Sequence, residues 1–143
     1  METSDIFPSS EIVGIGTATW FQNDWMLNLT LDFPFQSNVK VLFRCKGKKA
    51  ECPEALGRNV LMLGEKLSDW WNSMALKTNQ TIKRKEIEGL EEFRIGELSI
   101  RIPKVEITEN QKWSLELQTD PYSVFEVSFQ GLECIKSKHL EVY

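Results

Sequence analysis

Trp25, Leu27, Leu29, Leu31 and Phe33 alternate with Met26, Asn28, Thr30 and Asp32, a period of two that belongs to a β-strand with one buried face. Upstream, residues 11–20 (EIVGIGTATW) are rich in β-branched side chains. Gln22, Asn23 and Asp24 then supply a turn, so the two segments form a hairpin. Beyond Pro34, Val39, Val41, Phe43 and Cys45 alternate with Lys40, Leu42, Arg44 and Lys46. Three consecutive antiparallel strands are predicted, and the buried face of such a meander needs a cover.

Residues 53–76 predict that cover. Pro53 suits the first helical position and Glu54 the first turn, and Leu56, Val60, Leu63, Leu67, Trp70 and Met74 then recur at alternating spacings of four and three, one stripe of a single long helix with Trp71 at its edge. Such a helix spans about 35 Å at 1.5 Å per residue. Gly57 and Gly64 fall on one side of it and suggest a close backbone approach there. Leu61 and Met62 lie off the stripe, either as a second contact or as scattered exposed apolar residues. From Thr78 the chain turns polar and reads as a solvated linker, with a helix continuing to about Glu88 and ending at Gly89 as the alternative.

Strands resume with Leu98, Ile100 and Ile102. The apolar face shifts at Pro103 to Val105 and Ile107, the mark of a bulge or an edge strand. Trp113, Leu115 and Leu117 form the next alternation, Thr119-Asp-Pro-Tyr a turn, and Phe125, Val127 and Phe129 another strand; residues 132–135 offer a short final one. The predicted fold is α+β: an antiparallel sheet of about six strands in the order βββαβββ, with one long helix packed across one face. The whole chain, 1–143, reads as a single domain with residues 1–10 as a flexible tail.

The length of 143 residues, with 41% hydrophobic and 27% charged, gives a core large enough to need no disulfide or structural metal, so no cofactor is expected. A net charge of −4 disfavours nucleic acid as a partner. No apolar run approaches the length of a membrane helix, and METSDIFPSS lacks the features of a secretory signal, so neither membrane insertion nor export is expected and the cytoplasm is the expected compartment. Three cysteines, an odd number, fit reducing surroundings.

Little chemistry stands out. Cys45, Cys52 and Cys134 with the single His139 have no zinc-site spacing, so the thiols read as buried and free and His139 as a solvated tail residue. Gly14-Ile-Gly16 lacks the third glycine and the following helix of a dinucleotide fingerprint. Glu86, Glu88, Glu91, Glu92 and Glu97 contain enough carboxylates for acid–base or metal chemistry, but without a D-x-D or H-E-x-x-H companion a solvated face is the simpler reading. Trp20 and Trp25, facing each other across a hairpin, offer either a stacking platform for sugars or bases or ordinary core packing.

Three features taken together resemble small bacterial immunity-protein-like domains associated with polymorphic or contact-dependent toxins. They are a hairpin with a tryptophan-containing turn (20–31), a strand leading into a Pro-initiated helix (39–76), and an Asp-Pro turn before a short apolar strand (120–131). The resemblance implies a protein that is not an enzyme and neutralises a cognate toxin by binding it. The acidic charge would suit a basic toxin domain, such as a nuclease. The candidate contacts are loop residues: Asp24, Glu91, Glu92, Glu97, Asp120 and Tyr122. The reading of a different class is a small ligand- or carbohydrate-binding module, or a hydrolase, using the acidic cluster or the tryptophans.

Overall fold

The computed structural model describes residues 8–12, 14–87, 90 and 93–140. Its α+β fold follows the order ββββααββββ, with β1 (Ser9–Ile12), β2 (Gly16–Phe21), β3 (Asp24–Phe33) and β4 (Gln36–Lys46) before α1 (Glu54–Glu65) and α2 (Leu67–Lys85). β5 (Arg94–Ile102), β6 (Lys112–Asp120), β7 (Val124–Gln130) and β8 (Glu133–Leu140) follow. All eight described strands form one sheet whose order is the order of the chain. Every neighbouring pair is antiparallel except β4 and β5. That pair is parallel because the two helices connect the strands as a crossover, which a tight turn cannot do.

The expected six strands become eight for local reasons. Residues 11–20 divide into two strands because Gly14 turns the chain with φ +78° and Ile15 N–H bonds the Ile12 carbonyl at 3.0 Å. β-Branched content cannot reveal such a turn. Ser9 and Ser10, assigned to the tail from sequence, pair with Thr19 and Ala18. At the other end, β8 runs through Leu140 and carries His139, which is half-buried and hydrogen-bonds Ser123 rather than standing free in solvent. β5 is central and not an edge strand. The face shift at Pro103 is where it ends, and residues 104–111 are a loop with Val105 exposed.

The single long helix is two. Lys66 departs from helical geometry at φ −102°, ψ 23°, and the Leu63 carbonyl at the break accepts instead the Trp70 indole N–H at 2.8 Å. Leu67, next to the break, is only half-buried, whereas Trp71 is buried with Trp70 and Met74. α2 also extends through residues 78–85, read from sequence as a linker. The side chains it buries there include hydroxyls, which apolar periodicity does not count: Thr78 Oγ1 pairs with Ser137 Oγ at 2.9 Å, and Thr81 Oγ1 donates to the Ser137 carbonyl at 2.8 Å. Ser73 Oγ accepts the Cys134 N–H, so α2 satisfies polar groups of the last strand, whose other side pairs with β7. The helix closes at Glu86 in the left-handed region, with Ile87 N–H bonded to the Ile82 carbonyl, a Schellman closure three residues short of Gly89.

Both helices cover one face of the sheet. Trp70 meets Trp113 and Phe129 edge-on, and those two rings stack 4.1 Å apart. Leu27, Phe43, Ile100, Leu117 and Phe125 supply the strand side of the core. Gly57 makes the close approach expected of it, since a Cβ there would lie 2.9 Å from Ile12 Cγ2, while Gly64 has open space around it. Leu61 is exposed and Met62 packs against the core.

Candidate functional site

With both helices on one side, no described element covers the opposite face of the sheet, and strand register decides which side chains meet on it. Met26, Arg44, Arg101, Ser114, Ser128 and Lys136 form one row across β3–β8. The neighbouring row runs Asn28, Leu42, Ser99, Glu116, Glu126 and Lys138. Residues directly opposite each other share a face, so side chains distant in sequence are fixed together on a rigid floor.

Asp24 is the organising charge. Gln22 and Asn23 both have positive φ, 50° and 72°, the two-residue turn that matches the twist of a hairpin, and this turn makes Asp24 the first residue of β3. The residue is 8% exposed, and its carboxylate lies 3.3 Å from Arg44 Nη2 and 3.9 Å from Arg101 Nη1. One carboxylate between two guanidinium groups leaves the trio with an excess positive charge. Arg44 Nε is buried without a hydrogen-bond partner among the described residues, and an unsatisfied buried donor costs about 1–3 kcal/mol.

Two cavities open beside this trio. One of about 310 Å³ is lined by Arg44, Ser99, Arg101, Ser114, Glu116 and Glu126. The larger, about 660 Å³, shares Arg101 and Ser114 and continues to Lys46, Lys104 and Lys112 over an apolar lining that includes Ile102, Pro103 and Ile135. The wall carrying Pro103 and Lys104 is positioned from the helical layer. Asn59 of α1, fully buried, accepts the Ile107 N–H at 2.8 Å and donates to the Val105 carbonyl at 3.0 Å.

The residues singled out from sequence do not converge. Asp24 is engaged by arginines at the end of the sheet where β4 and β5 finish. Glu97 is exposed toward the other end, opposite Lys40, and Asp120 and Tyr122 are exposed there too, at the turn between β6 and β7. Glu91 and Glu92, with Glu88 of the acidic cluster, lie outside the described residues. The cations that line the groove were not singled out. Arg44 and Lys46 were legible as the outward residues of an alternating strand, but not as neighbours of Arg101, because that depends on the β4–β5 crossover register.

Trp20 and Trp25 do not form an open stacking platform. Trp25 is 2% exposed, Trp20 is half-buried, and their indole N–H groups bond the Lys48 and Gly47 carbonyls. The cysteines are free. Burial, chiefly, pushes the Cys45 thiol up to about 11, with Cys52 and Asp24 adding to the rise and Lys104 opposing it. Burial also raises Cys52 and Cys134, so these thiols stay protonated at neutral pH and are weak nucleophiles. Among the described residues no three His, Cys, Asp or Glu side chains gather to hold a metal ion, and no helix is long and apolar enough to cross a membrane. Protein-family models, curated proteins and solved structures give no match to this chain.

Proposed function

We propose that this chain is a non-catalytic, cytoplasmic protein-binding domain of the immunity type, which neutralises a bacterial toxin by occupying it. We place its contact surface at the end of the open sheet face where Arg44, Asp24 and Arg101 meet the larger groove. The observation that carries this reading is the combination of a rigid floor, a cation pair preset by a buried carboxylate, and a groove of about 660 Å³ with an apolar lining and a charged margin. Binding surfaces commonly pair an apolar centre with a polar rim, and presetting the arginines lowers the entropic cost of ordering them on association.

The test is protection. The reading frame immediately upstream of the gene is expressed alone and together with this protein in a toxin-sensitive host. Growth restored by roughly equimolar protein, with a stable one-to-one complex on purification, is the expected result. A protein that restores growth only by consuming a substrate, with activity lost in a Glu116→Gln/Glu126→Gln variant that still folds, would make the small cavity an active site and overturn the binding reading.

A further inference from the structure

A third groove, about 260 Å³, runs between α2 and β8. Lys77, Arg84 and Lys85 line it from the helix, and Lys136 and Lys138 from the strand. It meets the 660 Å³ groove at Ile135, which lines both. Ile135 is turned outward because the register between β7 and β8 slips beside Phe129, leaving it the extra residue of a bulge and 44% exposed.

The two grooves gather nine of the chain's 17 lysines and arginines, and no described lining residue is an aspartate or glutamate. Of the nine, only Arg101 has an ion pair among the described residues. Lys46 stands opposite Asp24 and Lys138 opposite Glu126; elsewhere the like charges of the grooves repel, so an anionic ligand is favoured there. The chain's net charge of −4 does not by itself decide the sign here, because charges more than about 8 Å away are largely screened at physiological salt.

We infer that the joined grooves receive an acidic, amphipathic segment of the protein partner, with its carboxylates on the lysines and a large apolar side chain on the lining around Ile135. The inference rests on the protein-binding reading above and reverses the partner charge expected from overall composition. Two features select a protein segment over nucleic acid. Pro103, half-buried, and Ile135, exposed, put apolar surface in the middle of the cationic band, which a phosphate backbone would leave wet. Trp113 and Phe129, the aromatic residues nearby, are 5% and 0% exposed and stacked on each other, so they present no open face to a base.

Fluorescence anisotropy of the full-length protein tests this with three labelled probes: a peptide alternating Glu with Leu and Trp, the same peptide with Gln for every Glu, and a DNA duplex of about 20 base pairs. The acidic peptide is expected to bind, more tightly as salt is lowered, and at least about tenfold more tightly than the Gln peptide. Lys112→Glu/Lys136→Glu should weaken it by about tenfold or more with the thermal midpoint retained, and Ile135→Ser should weaken it severalfold. Should the double reversal disturb folding, Lys112→Gln/Lys136→Gln is read in its place. No binding of the acidic peptide, binding indifferent to these variants, or tighter binding of the duplex overturns the inference. The toxin complex separates the two failures. A protective complex indifferent to the double reversal removes the groove assignment alone, whereas groove binding by a protein that protects against no toxin removes the immunity reading alone.

Discussion

Asn59→Leu replaces a fully buried amide by an apolar side chain of similar size, and its effect can be worked from the contacts. The Ile107 N–H loses its 2.8 Å acceptor inside the protein, at about 1–3 kcal/mol for a buried unsatisfied donor. The Val105 carbonyl loses a 3.0 Å donor, but Val105 sits on an exposed loop where water can replace the amide, so about 0.5–1 kcal/mol is lost there. The added apolar burial returns about 1 kcal/mol. The net is about 2 kcal/mol, which for a urea m-value of about 1.5–2 kcal/mol/M lowers the unfolding midpoint by about 1 M. Asn59→Asp keeps the acceptor but sets a buried negative charge against the Val105 carbonyl, and costs more than Leu. Urea denaturation followed by tryptophan fluorescence gives the midpoint, and hydrogen exchange gives the protection of the Ile107 amide. Because this loop carries Pro103 and Lys104 into the groove, acidic-peptide binding should weaken even though Asn59 touches no ligand. A midpoint shifted by less than about 0.3 M with Ile107 protection intact would refute the assignment of Asn59 as the tie that holds the groove wall.

Leu63→Ala should cost about 2–5 kcal/mol and Leu67→Ala about 1, since Leu63 is 1% exposed and Leu67 half-buried beside the helix break; equal midpoints in urea would mean one continuous helix. Gly64→Ala should stabilise by up to about 1 kcal/mol through helix propensity, whereas Gly57→Ala should destabilise by pressing on Ile12; thermal melts of the two variants give the signs, and the same sign for both contradicts the packing of β1 on α1. The Cys45 thiol, raised from an ordinary 9.0 to about 11, keeps a proton that the unfolded chain releases. Stability should therefore fall as pH rises from 9 to 11, by up to about 3 kcal/mol. Cys45→Ala should flatten that part of the profile, and an unchanged slope would place the thiol in a more solvated setting.

The strands that alternate strictly were legible in the sequence because one face is apolar and the other polar: Trp25 to Phe33, Val39 to Cys45, Trp113 to Leu117 and Phe125 to Phe129. Where burial is achieved by hydroxyls, as at Thr78, Thr81 and Ser137, hydrophobic patterning reads a solvated linker in place of a helix and truncates the strand beside it. The break at Lys66 was hidden for a related reason. The spacing of Leu63, Leu67 and Trp70 fits an unbroken helix, and only the indole N–H of Trp70 reaching the Leu63 carbonyl reveals where it divides. The site was less legible than the fold. Acidic loop residues were singled out because the net charge is acidic, but charge acts locally, and the register that brings Arg44, Arg101 and Lys112 to one end of the sheet depends on a parallel pairing across a 31-residue helical pair.

The docking assignment is tested most directly by the affinity of the purified one-to-one toxin complex, measured by titration calorimetry for charge reversals at the two ends of the open face. Arg101→Glu/Lys112→Glu should weaken the complex by about tenfold or more, while Glu97→Lys/Asp120→Lys should leave it within about twofold. The opposite ranking, with the Glu97 and Asp120 end controlling affinity and the groove end indifferent, would contradict it.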